Sequence, residues 1–142
     1  ANVHVEGLRL EHAAWHLSRD TGYVSTQAGT WVSSDALSTA NDINLASWHM
    51  MPSALLVEES SDITIKHCTV TRLGGAGITI ANGSSDCTVA SCSFTDISGS
   101  AIQLAGTAFS NGVEEGLRID ERSQAQKGLV CVNNTITNLP RE

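Results

Sequence analysis

The chain is short of aromatic residues, of positive charge and of long apolar runs. Aromatics make up 4% of its 142 residues, which suits a thin core of stacked aliphatics better than a large globular one. Lys and Arg number 8 against 15 Asp and Glu, a net charge of −7. That balance argues against nucleic acid or an anionic membrane surface as partner. No run of about 18 apolar residues exists, so no segment reads as a membrane-spanning helix. No signal-peptide pattern opens the chain, so a leader has been removed or the chain is a piece of something longer. No CxxC pair is present and the histidines are scattered, which argues against zinc. Carboxylates are numerous enough for calcium, but the GGxGxD nonapeptide of calcium-binding solenoids is missing. No metal or cofactor is called for. At 41% hydrophobic residues, the chain can still bury the core of one domain.

What is present is a repeat. Between Ala54 and Gly106 the sequence matches itself at a displacement of 24: Asp62-Ile-Thr-Ile falls on Asp86-Cys-Thr-Val, and Cys68-Thr-Val-Thr-Arg-Leu on Cys92-Ser-Phe-Thr-Asp-Ile. Leu55 and Val57 fall on Ile78 and Ile80 at a displacement of 23, and these on Ile102 and Leu104 at 24. Within each repeat, apolar residues come in pairs with one residue between them, the period of an extended strand. The runs are short and rich in β-branched residues. Turn compositions separate them: Glu58-Glu-Ser-Ser-Asp62, Asn82-Gly-Ser-Ser-Asp86 and Ser98-Gly-Ser100. One repeat thus holds about three short strands, and it buries its apolar face only by stacking on a copy of itself.

The expected fold is all-β: a right-handed parallel β-helix, a solenoid of about 24 residues per coil, with coils about 4.8 Å apart. Predicted ladders place Ile63 over Cys87, Ile65 over Val89, Cys68 over Cys92 and Val70 over Phe94. Cys68, Cys87 and Cys92 then face inward, as buried reduced thiols; Cys68 and Cys92 form the one pair stacked closely enough to bridge.

Taken in order, Val3 and Val5 occupy the places of Ile63 and Ile65, and Leu8 and Leu10 those of Cys68 and Val70, so the chain begins inside a coil. Residues 11–20 depart from the template, and Thr21–Gly29 resumes as strand and turn. An insertion at about 30–51 carries Trp31, Trp48 and two Met, and reads as an ordered loop over one face or a short helical excursion. Regular coils span Ser53–Gly75 and Ala76–Gly99. A second insertion, at about 107–127, is rich in charge. The template returns at Gly128, where Leu129 and Cys131 take the Ile63 and Ile65 places and Asn134 the Cys68 place, suited to bonding along a ladder. Residues 1–142 read as a single β-helix segment. Its open ends should expose apolar core and strand edges, implying a longer β-helix or another subunit there.

Four stretches go beyond the generic repeat: Gly7-Leu-Arg-Leu-Glu-His12 with Trp15 following, Gly22-Tyr-Val-Ser-Thr-Gln-Ala-Gly29, Thr71-Arg-Leu-Gly-Gly-Ala-Gly77, and Phe94-Thr-Asp-Ile-Ser-Gly-Ser-Ala-Ile102. In that order they resemble the β-helix proteins related to glycoside hydrolase family 141, which includes α-L-fucosidases and xylanases. The resemblance implies a secreted or extracellular protein whose partner is a polysaccharide or oligosaccharide. Family members run on for further coils, where the resemblance places the acidic pair.

Glycoside hydrolysis uses two carboxyl groups, about 5–5.5 Å apart for retention and about 6.5–9.5 Å for inversion. Stacked acids on adjacent coils meet that spacing. Asp96 is the leading acid. Its equivalent one coil earlier is Arg72, which beneath it would keep it ionised; a structural corner bond serves the same residues equally well. Glu114 and Asp120 in the second insertion could line a cleft or be merely solvated. Asp62 and Asp86 fit turn chemistry. Trp15, His16 and Trp48, with Arg72, are the candidate substrate-binding residues: aromatics beside a β-helix face either stack on sugar rings or pin the insertion. His67 should point to solvent, and Asn82 and Asn133 head glycosylation sequons. Two functions follow: a carbohydrate-active, glycoside hydrolase-like β-helix with an acidic groove, or a non-catalytic polysaccharide-binding or structural cell-surface module.

Overall fold

The computed structural model describes residues 2–16, 22–24, 30–33, 48–104 and 126–139. Among them are fourteen strands and no helix. In chain order they are β1 (Val3–Glu6), β2 (Arg9–Glu11), β3 (Gly22–Val24), β4 (Thr30–Ser33), β5 (Trp48–Met50), β6 (Ser53–Glu58), β7 (Ile63–Lys66), β8 (Thr69–Leu73), β9 (Ala76–Ala81), β10 (Thr88–Ala90), β11 (Ser93–Ile97), β12 (Ile102–Leu104), β13 (Val130–Val132) and β14 (Thr135–Thr137). Three parallel sheets run up the stack, ordered β1-β7-β10-β13, β2-β8-β11-β14 and β6-β9-β12. Each full coil contributes one strand to each sheet.

The register is the one the repeat dictates. Val3 pairs with Ile63 and Val5 with Ile65; Val89 stands between Ile65 and Cys131; Phe94 stands between Val70 and Ile136. Ile78 pairs with Leu55 on one side and Ile102 on the other. Every second residue of each strand therefore points into one continuous core. Ile65, Val70, Ile78, Ile80, Val89, Phe94 and Ile97 are fully buried there. At the outer coils the same inward columns end in residues that are half-exposed, such as Val3 and Ile136.

The inner corner before the second strand of each coil is held by side chains that bond backbone. The Cys68 thiol donates to the Lys66 carbonyl at 3.3 Å, and the Cys92 thiol to the Ala90 carbonyl at 3.3 Å. The Cys68 amide points at Cys92 Sγ, 3.4 Å away. One coil on, Asn134 takes this place with an amide: its Oδ1 accepts from the Cys92 N–H and its Nδ2 donates to the Val89 carbonyl, both at 2.9 Å. The cysteines are free thiols, with Cys68, Cys87 and Cys92 buried and Cys131 exposed.

The outer corners are single residues in the left-handed conformation, and they stack as regularly as the strands. One column is Gly7, His67, Ser91 and Asn133; another is Asp62, Asp86 and Gly128; a third is His12, Arg72, Asp96 and Asn138. Asp62 and Asp86 thus hold corners, as their turn composition implies. Asx residues and glycine accept this conformation readily, whereas other L-residues are disfavoured by roughly 1–2 kcal/mol.

The first coil leaves the stack after His12. The Gly74 N–H bonds the Ala13 carbonyl, and the Ala76 N–H bonds the Pro52 carbonyl, each at 2.9 Å. So the chain departs and returns over one Gly-Gly step. A Cβ on Gly75 would drive into the Pro52 carbonyl oxygen, and one on Gly74 into the Trp15 backbone. Between these crossings, β3, β4 and β5 form an antiparallel sheet: Tyr23 pairs with Val32, and Trp31 with His49. Gly22–Val24 is therefore a strand, as its composition implies, but it does not rejoin the solenoid. The insertion at 30–51 begins and ends in paired antiparallel strands, and the expected loop or helical excursion between them, at 34–47, lies outside the described residues. The second insertion lies outside them almost entirely. The solenoid resumes at Lys127, whose carbonyl accepts from the Asp86 N–H, one residue before the template returns in the sequence.

Candidate functional site

The third corner column stands where the chain leaves the first coil, and the two together form a cleft. It is open to solvent, has a volume of about 320 Å³, and is lined by His12 to His16, Arg72 to Gly74, Asp96 and Ser98. Four predicted site residues meet there: Asp96, Arg72, Trp15 and His16. Trp48 lies on β5, and its side chain is outside the described residues, as are Glu114 and Asp120 entirely.

Each contributor is placed by a local feature. Arg72 and Asp96 follow the buried Val70 and Phe94 by two residues and turn the corner at φ 53° and 58°. His12 turns it in the first coil at φ 60°. Two coils with no sequence likeness at this position, Thr-Arg-Leu and Thr-Asp-Ile, thus present side chains of opposite charge one coil apart.

The stacking of Asp96 over Arg72 does not produce the ion pair the alignment suggests. Arg72 turns toward the preceding coil, with Nη1 at 3.3 Å from His12 Nε2 and 3.8 Å from Glu11 Oε2. A guanidinium can only donate, so His12 Nε2 accepts in that contact. Glu11 is engaged by Arg9, whose Nε donates to its Oε2 at 2.8 Å. That bond, aided by the charges of Arg9 and Arg72, holds the Glu11 carboxyl below its usual range.

The aromatic part of the site is built from both substructures. The Trp15 and Trp31 ring centroids are 6.2 Å apart, tilted at 57°. Trp31 in turn stacks on His49, with centroids at 4.4 Å and planes 26° apart. One face of Trp31 is therefore covered by a neighbour in its own sheet, and its contact with Trp15 joins that sheet to the segment that follows the first coil's corner. Trp15 alone of the three lines the cleft.

Among the described residues the lining is mixed in character. Among its described residues Asp96 is the one carboxylate, against Arg72 and two histidines. Such a set can exchange hydrogen bonds with hydroxyl groups, which both donate and accept, while an indole offers an apolar face. Among the described residues, no group of three or more His, Cys, Asp or Glu gathers as metal ligands do.

The sequence places His12 with His16 and His49 near Trp15 and Trp48 as a candidate sugar-stacking group, but its place in the corner column needs one more step: the alignment of Leu8 and Leu10 on Cys68 and Val70, carried two residues further, puts His12 on Arg72. Trp31 carried no such signal, because its contact with Trp15 depends on an antiparallel pairing that the repeat does not encode.

No curated protein and no solved structure matches the chain. A family model described as a right handed beta helix region matches residues 36–117, more than half of the length and including both regular coils. The chain belongs to the right-handed β-helix family.

Proposed function

We propose that this β-helix is a carbohydrate-binding module whose site is the cleft at the His12, Arg72 and Asp96 corners. The observation that carries the reading is the meeting of one indole, one guanidinium, one carboxylate and two imidazoles around a single open cleft. In this reading the apolar face of a sugar ring lies on Trp15. Arg72 donates to its hydroxyls, Asp96 accepts from them, and the imidazoles do either. A net charge of −7 disfavours polyanionic ligands by comparison. The resemblance to glycoside hydrolase family 141, and the extracellular setting it implies, point to the same class of ligand.

Binding is proposed in preference to cleavage. Glycoside hydrolysis takes two carboxyl groups within about 10 Å of each other across the scissile bond. The described lining supplies only Asp96, and Glu11 is committed to Arg9. The test is a glycan array probed with the chain and with its Trp15→Ala variant. The reading expects binding to a defined set of oligosaccharides, weakened about tenfold or more by Trp15→Ala, a loss of about 1.4 kcal/mol. Undiminished binding by the variant would remove the cleft from the account. Release of free sugar by the chain, abolished in Asp96→Asn, would instead establish hydrolysis.

A further inference from the structure

The cleft is the lower part of a longer row. His12, Arg72, Asp96 and Asn138 occupy one corner on four successive coils, all left-handed, at φ 60°, 53°, 58° and 55°. His12, Arg72 and Asn138 are exposed and Asp96 is half-exposed. With strands about 4.8 Å apart, the row spans roughly 14 Å along the solenoid axis. Beside it two hydroxyls meet, Thr137 Oγ1 donating to Thr95 Oγ1 at 3.1 Å, one coil apart. The row lies at right angles to the strands.

We infer that the ligand is an extended, linear glycan chain lying along this row, and that Asn138 is a contact at its far end. The inference rests on the carbohydrate reading above and adds to it the shape of the ligand and a residue outside the cleft. One polar side chain per coil at a fixed rise suits a polymer of regular hydroxyl-bearing units. A single sugar reaches only one or two of the four corners. The side chains alternate in what they offer: His12 and Asn138 both donate and accept, Arg72 only donates, and the Asp96 carboxylate accepts. A row of this composition has no run of cations to track a phosphate or sulfate backbone. An extended peptide would be expected to add to a sheet edge, parallel to the strands, and not to cross four coils at their corners.

The experiment is titration calorimetry with xylo-, cello- and manno-oligosaccharides, each taken from disaccharide to hexasaccharide. One added hydrogen bond contributes about 1 kcal/mol, or roughly fivefold in affinity. Affinity should therefore rise roughly fivefold per ring up to the length that spans the row, then level off. Asn138→Gly keeps the left-handed backbone while deleting the amide. It should weaken the longest oligosaccharides about fivefold and leave the disaccharide unchanged, with the melting temperature of the variant checking that the coil is intact. Binding that does not grow beyond the disaccharide, or an Asn138→Gly effect equal at all lengths or absent, would overturn the extended-chain inference while leaving the cleft standing. Absence of binding to every series would remove the carbohydrate reading itself.

Discussion

Arg72 stands in a backbone conformation that disfavours a long side chain by roughly 1–2 kcal/mol. Its contacts to His12 and Glu11 are exposed and contribute little to stability. The same conformation recurs at the His67 and Ser91 corners, so it belongs to the coil and not to Arg72 alone. Arg72→Gly relieves the strain but gives the unfolded chain more freedom, worth roughly 0.4–1 kcal/mol. Chemical denaturation should therefore find the variant within about 1 kcal/mol of the parent, or more stable, while glycan affinity falls. A large loss of stability would make Arg72 a structural residue. Gly75 is the opposite case: a methyl there meets the Pro52 carbonyl with nowhere to move. Gly75→Ala should cost about 1–3 kcal/mol by the same measurement. The thiols divide just as sharply. Cys68, Cys87 and Cys92 are buried and Cys131 is exposed, so a maleimide should label one thiol quickly in the native chain and all four after unfolding. Burial also pushes the Cys92 thiol above its usual pKa of 9.0. A raised value means that stability is whole below about pH 9 and declines as pH rises through it, where the unfolded thiol ionises first.

At the scale of the strand and the coil, the core is a set of columns, and a side chain's worth depends on its height in the stack. Phe94 is fully buried between Val70 and Ile136. Phe94→Ala should cost about 3–5 kcal/mol, and Ile136→Ala, in the same column but 50% exposed, well under half of that. Equal losses would mean that the columns do not end where the structure ends them. The outer faces carry bonds between coils as well. Glu6 accepts from His67 Nδ1 at 2.9 Å, and this bond, ahead of the nearby Lys66 charge, holds its carboxyl below the usual 4.5. The folded value is the lower one, so the bond's stabilisation is present above about pH 4.5 and is lost as pH falls further. Melting curves of the chain and of Glu6→Gln should differ slightly at neutral pH and converge in acid.

Across the whole molecule, the solenoid was legible because every coil restates the same pattern. Ile63, Cys87 and their equivalents fix register at one glance, since a slip of one residue would turn every inward side chain out. Even the first coil was legible from Val3, Val5, Leu8 and Leu10. What lay outside the repeat was not. Gly22–Val24 has strand composition, but composition does not say which partner a strand takes or in which direction, and its partners are β4 and β5. The site was half legible: Arg72 and Asp96 share a column that the alignment reveals, whereas the turn of the Arg72 side chain toward Glu11 and not Asp96 is a choice between two neighbouring coils that the repeat does not encode. Trp15 could be suspected from its type, but its place at the cleft follows from the crossing over Gly74 and Gly75.

The central claim is that the cleft at the His12, Arg72 and Asp96 corners holds a sugar. A crystal structure of the chain soaked with a linear tetrasaccharide tests it most directly. The account predicts a sugar ring on the Trp15 indole, with hydroxyls within hydrogen-bonding distance of Arg72 and Asp96 and the chain running from coil to coil. A tetrasaccharide bound elsewhere, with the cleft empty, would contradict it.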